Sequence, residues 1–354
     1  QAIEITTHRA EAYDPESRKP TVSFGDDIAG DLARRDFTIN AAAIELPTGT
    51  LHDPHHGLSD LRNGLLRTPL SPEVSFTDDP LRMLRAARFI PRFDLAPSPE
   101  LARAAAELAP RLDIVAVERV ADELERLLTV RDPRSGFDFL VEVELLVHVL
   151  PGLADLDDDA IEAAIRLASA GSDGQADDEG WRPGPDDRLI RRAGLLWPIR
   201  TAATEQLARL RYSKAETART QKLLDAVAQG LVDEPGPPAV RRLAAAVGPD
   251  GLVPVATLAT NLVGVGLARL PPVAELVRVI EELLWTEDLS ILDGPLSGAE
   301  IMDLLDLEPG PTVGRAVARQ RELRIQHGPL TPDEARSALV DWWRQDPTAG
   351  SSLP

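Results

Sequence analysis

Asp78-Asp79-Pro80-Leu81-Arg82-Met83-Leu84-Arg85-Ala86-Ala87-Arg88-Phe89 sets a carboxylate and a guanidinium three residues apart at the start of a helix. Asp79 suits the N-cap and Pro80 the first helical position, where a missing N–H costs nothing. Arg82 then falls on the first turn, on the same side as Asp79. A carboxylate only accepts hydrogen bonds and a guanidinium only donates them. Together they match an edge with an exocyclic amino donor beside a ring-nitrogen acceptor, as cytosine and adenine have. Uracil and guanine present a carbonyl and a ring N–H instead, and each polar group left unpaired there costs about 1–3 kcal/mol. Taken alone, the same residues also describe an ordinary capped helix with a surface ion pair. The surrounding sequence decides between the two.

Upstream lie Asp31-Leu32-Ala33-Arg34-Arg35-Asp36-Phe37-Thr38-Ile39-Asn40-Ala41, then Asp53-Pro54 with Gly57 and Asp60-Leu61, then Arg67-Thr68. In that order and spacing the segments resemble the class II tRNA nucleotidyltransferases, the CCA-adding enzymes, and their bacterial poly(A) polymerase relatives. Ile3-Glu4-Ile5-Thr6-Thr7-His8-Arg9, Tyr13-Asp14 and Arg18-Lys19-Pro20 extend the resemblance to the first residues. It is dense up to about Leu128 and looser beyond. Ala42 stands where the family usually has Met, a packing change.

The resemblance implies a template-independent RNA nucleotidyltransferase that completes or repairs the 3′ CCA of tRNA from CTP and ATP, with Mg²⁺ at the triphosphate. It gives base selection to Asp79 and Arg82, and the sugar and phosphates of the nucleotide to Arg34, Arg35, Asp36 and Asn40, with Asp36 near the ribose hydroxyl. A paired Arg suits phosphate oxygens in both charge and fork geometry. Arg85 continues the Arg82 face and is read as a contact to triphosphate or the RNA 3′ end. Arg88, Arg111 and Arg119 are read as pairing with Asp113, Glu118 and Asp122. Glu4 is either a third metal-supporting carboxylate or an exposed strand residue. In the family a Gly-Gly loop and an Asp-x-Asp pair for metal ions precede the strand that Gln1 interrupts, so the chain is expected to be a fragment lacking that pair. A poly(A) polymerase, or an enzyme adding only part of CCA, fits the same residues. A non-catalytic RNA-binding protein is the alternative from another class.

Cysteine is absent, which excludes disulfides, Cys-ligated zinc and a thiol nucleophile and suits a reducing cytoplasm. No apolar run approaches membrane-spanning length, so the chain reads as cytoplasmic and without a membrane partner. Net charge is −20, and Lys occurs only at Lys19, Lys214 and Lys222. A basic footprint over the whole chain is missing, which argues against a non-specific RNA coat. One folded RNA needs only a local Arg-lined groove. His52-Asp53-Pro54-His55-His56 has metal-ligand residue types, yet its Asp-Pro and following Gly read as turn residues. Many relatives carry a phosphohydrolase domain of the His-Asp type; this chain has Leu195-Leu196-Trp197-Pro198-Ile199 where that dipeptide would fall.

The expected fold is α+β: the C-terminal part of a nucleotidyltransferase head with a small β-sheet, then a mainly helical neck, body and tail. The divisions fall at residues 1–70, 71–150, 151–290 and 291–354. A strand is expected over 3–7, a turn-rich stretch over 13–20, a helix from Ile28, and a strand pair at 42–46 and 51–53. Helices are expected over 80–92, 99–108, 117–128 and 137–149, a polar Pro/Gly-rich loop over 169–187, and helix breaks near 234–238 and 270–272. In the family the tail reaches the tRNA elbow, and Arg315, Arg319, Arg321 and Arg324 have spacings that could line one side of a helix there. The same four could instead be a solvated face paired with Glu322.

Overall fold

A computed structural model describes residues 9–12, 21–24, 28–170, 175–177, 180–182 and 184–345. Glu4, the expected strand over 3–7 and the turn-rich stretch over 13–20 lie outside the described residues. The chain divides into two compact units, Gln1–Ala218 and Arg219–Pro354.

The first unit opens with the antiparallel pair β1 (Arg9–Ala12) and β2 (Thr21–Phe24), in register from Arg9↔Phe24 to Ala12↔Thr21. Next comes α1 (Ile28–Ala33), then a 3-10 turn at Thr38–Asn40. The hairpin of β3 (Ala43–Ile44) and β4 (Leu51–His52) falls where a strand pair is expected. The chain continues through α2 (Gly57–Arg62), β5 (Leu65–Leu66), α3 (Pro72–Asp78), α4 (Leu81–Phe93) and β6 (Ala96–Pro97). Helix α3 is not anticipated by the sequence reading, although Ser71 caps it by accepting from the Val74 N–H and Pro72 takes the first helical position. Strands β5 and β6 pair in parallel, Leu65 with Ala96 and Leu66 with Pro97. Two residues are too few for an alternating pattern to register. Among the described residues the strands form four separate two-stranded pairs, so the β content is small.

Helices α5 (Pro99–Leu108) and α6 (Val117–Leu128) have the expected bounds. The helix expected over 137–149 is two, α7 (Arg134–Glu142) and α8 (Leu146–Val149), because Glu144 adopts a left-handed φ of 57° that ends the first. After α9 (Pro151–Ala154) and α10 (Asp158–Ser169), part of the expected loop forms an antiparallel pair, β7 (Gln175–Asp177) with β8 (Gly180–Arg182). Then come α11 (Asp187–Leu196), α12 (Ala203–Arg209) and α13 (Lys214–Val232), within which the two units meet in sequence.

Helix α4 is the axis of this unit. Met83, Ala86, Ala87 and Ile90, spaced for one helical face, are buried. The small pair at Ala86 and Ala87 lets α7 approach closely: a Cβ on Gly136 would stand 2.2 Å from the Ala87 carbonyl oxygen and 2.7 Å from Leu127 Cδ1. Polar fastening is equally internal. Arg88 meets Glu123 of α6 at 2.7 Å with both side chains buried, and its guanidinium lies 4.5 Å from the Phe89 ring centre. Burial pushes the Arg88 pKa down while Glu123 opposes the shift. Arg191 of α11, 1% exposed, donates to the carbonyl of Leu128, the last residue of α6, and to those of Val130 and Arg131 just beyond it.

The second unit contains α14 (Pro237–Val247), α15 (Leu252–Gly264), α16 (Leu270–Thr286), α17 (Gly298–Leu305), α18 (Pro311–His327) and α19 (Pro332–Gln345). Its breaks fall near both expected positions. Ile301, Ala316, Ala335 and Leu339 form a core shared by the last three helices, and Ser297 with Glu300 forms a capping box. Glu287 is gripped by Arg241 at 2.6 Å and Arg324 at 2.9 Å. Burial opposes its ionisation, but the two guanidiniums hold its carboxyl below the usual range. Among the described residues no single helix is long and apolar enough to cross a membrane.

Because the contact at Gly136 involves a backbone carbonyl that cannot swing away, Gly136→Ala should force α4 and α7 apart and destabilise the protein by roughly 1–3 kcal/mol. Urea unfolding midpoints of the two proteins, compared at equal slope, measure this.

Candidate functional site

The turn after α1 is nailed down from beneath. Phe37 is fully buried and its ring centre lies 5.3 Å from that of Phe89 on α4. Thr38 donates its N–H to the Arg67 carbonyl at 2.9 Å and its hydroxyl to Asp60 Oδ2 at 2.6 Å. Asp60 in turn is held by Arg67 through Nε at 3.0 Å and Nη2 at 2.7 Å. At Gly57 a Cβ would lie 1.9 Å from the Thr38 carbonyl oxygen, so α2 begins against this turn only because the residue is glycine. With Phe37 and Thr38 pointing inward, Asp36 and Asn40 are left facing α4.

There Asp36 collects four hydrogen bonds. Oδ1 accepts from the Phe37 N–H and from Asn40 Nδ2, each at 3.0 Å, and Oδ2 accepts from Arg85 Nε at 2.8 Å and from Arg85 Nη2. Burial works against its ionisation, but the Arg85 guanidinium and the donors of Asn40 and Phe37 outweigh it and hold the carboxyl below the usual carboxylate range. Arg85 also reaches Glu123 at 3.5 Å.

Arg82 makes a second link between the same segments. Its Nη1 donates to Ser75 Oγ at 2.8 Å and its Nη2 to the Arg34 carbonyl at 2.5 Å. Asp79 has the extended φ/ψ of a cap while Pro80 is already helical, and Asp79 Oδ1 accepts from the Leu81 N–H at 3.2 Å. The capping geometry expected for Asp79 and Pro80 is therefore present. Asp79 Oδ2 accepts from Arg119 Nη2 at 3.1 Å.

These side chains line one cleft of about 490 Å³: Arg34, Arg35, Asp36 and Asn40 from the turn, Asp79, Arg82 and Arg85 from the start of α4, and Arg119 from α6. A volume of about 300–1,000 Å³ is usual for a small-molecule site. Five guanidiniums against two carboxylates leave the lining at 5 − 2 = +3, within a chain of net charge −20. A polyanion is drawn to such a focus. Seven of the eight candidate residues named in the sequence reading are thus in one place, separated by up to 51 positions (85 − 34) in the chain; the eighth, Glu4, lies outside the described residues.

Arg119 is the lining residue that the sequence reading set aside. Its partner is Asp79, at the junction of α3 and α4, and not Glu118 or Asp122; Glu118 pairs with Arg211 and Asp113 with His148. Arg111 donates to the Thr77 carbonyl. A charged neighbour in sequence suggested local pairing, and nothing local could have pointed across to α4. Arg88 is the buried structural residue described above. In the second unit Arg324 is buried on Glu287, Arg319 pairs with Glu322 at 2.7 Å, and Arg321 is 3.8 Å from Asp293, so the four tail arginines do not form one free cationic face. Asp53 accepts from the N–H groups of Gly57 and Leu58 at 2.7 and 3.0 Å, as a turn residue does. Among the described residues no group of three or more His, Asp or Glu could hold a metal ion.

Solved structures share this architecture. The crystal structure of the Bacillus stearothermophilus CCA-adding enzyme in complex with CTP matches with a TM-score of 0.71 over 92% of this chain and 77% of that one, at 22% identity. The fold is that of a CCA-adding enzyme. The Thermotoga maritima CCA-adding enzyme complexed with tRNA is similar over 89% of this chain and 74% of that one, with a TM-score of 0.56 and 19% identity. In sequence, residues 1–67 match the poly A polymerase head domain and residues 94–156 match the probable RNA and SrmB-binding site of polymerase A. The CCA-adding enzyme of Lacticaseibacillus paracasei is 41% identical over 146 residues, 41% of this chain and 36% of that protein. The A-adding tRNA nucleotidyltransferase of Halalkalibacterium halodurans is 40% identical over 157 residues, 40% of this chain and 34% of that protein. The matched stretch is thus well under half the length of these curated relatives. The resemblance read from the sequence holds.

The depressed Asp36 pKa has a definite sign. The carboxylate is favoured in the folded state, so its stabilisation is fully present above its ordinary value of 3.8 and is lost as pH falls through the lower folded value. Asp36→Asn should cost roughly 1–3 kcal/mol at neutral pH. The gap to wild type should stay constant from about pH 8 to pH 5 and shrink below about pH 4, as urea melts across that range will show.

Proposed function

We propose that this chain carries the nucleotide-selecting and RNA-holding parts of a template-independent RNA nucleotidyltransferase, one that completes or repairs the 3′ CCA of tRNA from CTP and ATP in the cytoplasm. The observation that carries this reading is the single cleft that gathers Arg34, Arg35, Asp36, Asn40, Asp79, Arg82, Arg85 and Arg119. The same reading divides the chain into a head part over 1–70, a neck over 71–150, a body over 151–290 and a tail over 291–354.

Arg34, Arg35 and Arg85 are the cations for phosphate oxygens. Asp79 and Arg82 offer an acceptor and a donor to a base edge. Asp79 keeps a lone pair on Oδ2 beside its Arg119 contact, so it accepts from an exocyclic amino group without releasing the helix cap. Arg82, tied to Ser75 and to the Arg34 carbonyl, is fixed in direction before any ligand arrives. Cytosine and adenine satisfy both groups, whereas uracil and guanine leave both unpaired. Asp36 has its four acceptor positions filled.

In the reaction the RNA 3′-hydroxyl attacks the α-phosphate in line and pyrophosphate leaves. Mg²⁺ would supply charge neutralisation of the triphosphate. The described residues include no carboxylate cluster fit to hold it, so the roles given above are those of the arginines and the base-reading pair alone. An A-adding specificity is the second reading, favoured by the 40% identity to an A-adding tRNA nucleotidyltransferase. Supplying CTP alone to tRNA that lacks all of CCA, and ATP alone to tRNA that ends in CC, separates the two: a CCA-adding enzyme extends both, an A-adding enzyme only the second.

In the active enzyme Asp79→Ala should lower the preference for C and A over U and G by about tenfold or more, the effect of one unpaired polar group. Triphosphate binding should change far less, since the phosphates are held elsewhere. Incorporation of all four nucleotides by wild type and variant measures this, and an unchanged preference would reduce Asp79 to a helix cap.

A further inference from the structure

Asp79 and Arg82, the two groups proposed to read the base, are joined through one residue that does not line the cleft. Ser75 lies in the middle of α3, is 1% exposed, and contacts both of them. Its carbonyl accepts the Asp79 N–H at 3.2 Å, the bond that closes α3 where Asp79 turns to extended backbone. Its hydroxyl oxygen accepts from Arg82 Nη1 at 2.8 Å, and its carbonyl accepts from the same nitrogen at 3.4 Å. Arg82 Nη2 goes to the Arg34 carbonyl at 2.5 Å. None of these bonds uses the Arg82 Nε–H, which with Nη2 forms the other edge of the guanidinium fork. Ser75 is itself held firmly: its N–H donates to the Ser71 carbonyl at 3.0 Å, and the next residue, Phe76, is fully buried.

We propose that Ser75 is the positioning residue for base selection: its carbonyl and hydroxyl set the separation of the Asp79 carboxylate and the Arg82 guanidinium, so that one base edge meets both. This rests on the nucleotide reading above. Ser75 itself touches no ligand, being buried and absent from the cleft lining. A hydroxyl suits the task because it accepts a hydrogen bond without carrying charge. A carboxylate in its place would pair with Arg82 and compete with the base for it. A methyl group would leave only backbone carbonyls to hold the guanidinium, the closer being that of Arg34, about which it could turn. Tying a long side chain beforehand removes part of the ordering cost from binding, and only a base with the matching edge gains from it.

CTP and UTP share sugar and triphosphate and differ at the base edge, so their affinity ratio isolates base reading from phosphate binding. The chain is titrated calorimetrically with each nucleotide, for wild type, Ser75→Ala and Ser75→Thr, with thermal melts of all three. Ser75→Ala keeps the backbone bond to Asp79 and removes only the hydroxyl. It should weaken CTP binding about tenfold, the worth of one hydrogen bond to a charged group, and leave UTP binding as in wild type. Ser75→Thr returns a hydroxyl and should restore the wild-type CTP:UTP ratio, which a role in packing alone would not do. An unchanged ratio in Ser75→Ala overturns the proposal while the nucleotide reading stands. Equal loss of the ratio in both variants also overturns it, by assigning the effect to packing, and so does loss of cooperative melting in Ser75→Ala, which would make the hydroxyl purely structural. A wild-type chain with no preference for CTP over UTP overturns the base-reading pair and this inference together.

Discussion

The ion pair between Asp36 and Arg85 is the constraint on which the rest of the cleft depends. It joins a short turn to the second turn of α4, and both partners are committed further: Asp36 to Asn40 and the Phe37 N–H, Arg85 to Glu123. Directly beneath, the Phe37 and Phe89 rings pack, and beside it Arg82 holds the Arg34 carbonyl. Three independent contacts thus fix the turn to the helix, one ionic, one apolar and one to backbone. With that seat in place, the residues proposed for phosphate and those proposed for the base keep a fixed separation without a ligand to organise them.

A chain with this much negative charge might be expected to repel nucleotides and RNA. The arrangement of partners explains how it need not. Among the described residues, arginines away from the cleft are paired with nearby acids: Arg134 with Glu162, Arg278 with Glu275 and Glu282, and Arg241 and Arg324 together with Glu287. Within the cleft the cations exceed the carboxylates by three, and the carboxylates present serve as caps and clamps. Salt screens such a field beyond about 8–10 Å, so the sign of the local lining, and not that of the whole molecule, is what an arriving polyanion meets at close range.

Much of this was legible in the sequence. The cap at Asp79 with Pro80, the apolar spacing of α4, and the bounds of α5 and α6 follow from local chemistry, because capping and helical periodicity act within a few residues. The resemblance carried by Arg34-Arg35-Asp36-Phe37-Thr38-Ile39-Asn40 led to the fold that the structural matches bear out. Other features were not legible. Strands β5 and β6 are too short to show a pattern, and the break at Glu144 is a single left-handed residue with no glycine to announce it.

Partners across the fold were the least readable of all. Sequence spacing offered Arg119 the acids beside it, and the tertiary structure gave it Asp79 instead. It offered Arg324 a place on a solvated face, and the structure buried it on Glu287. Nor could it show that Arg82 is already tied to the Arg34 carbonyl. The sequence by itself determined which residue types stand at each helix end and which faces are apolar, since those depend on neighbours one to four positions away. Which guanidinium meets which carboxylate was decided only when α1, α4 and α6 packed together, because an ion pair is set by distance in space and the chain places its members tens of residues apart.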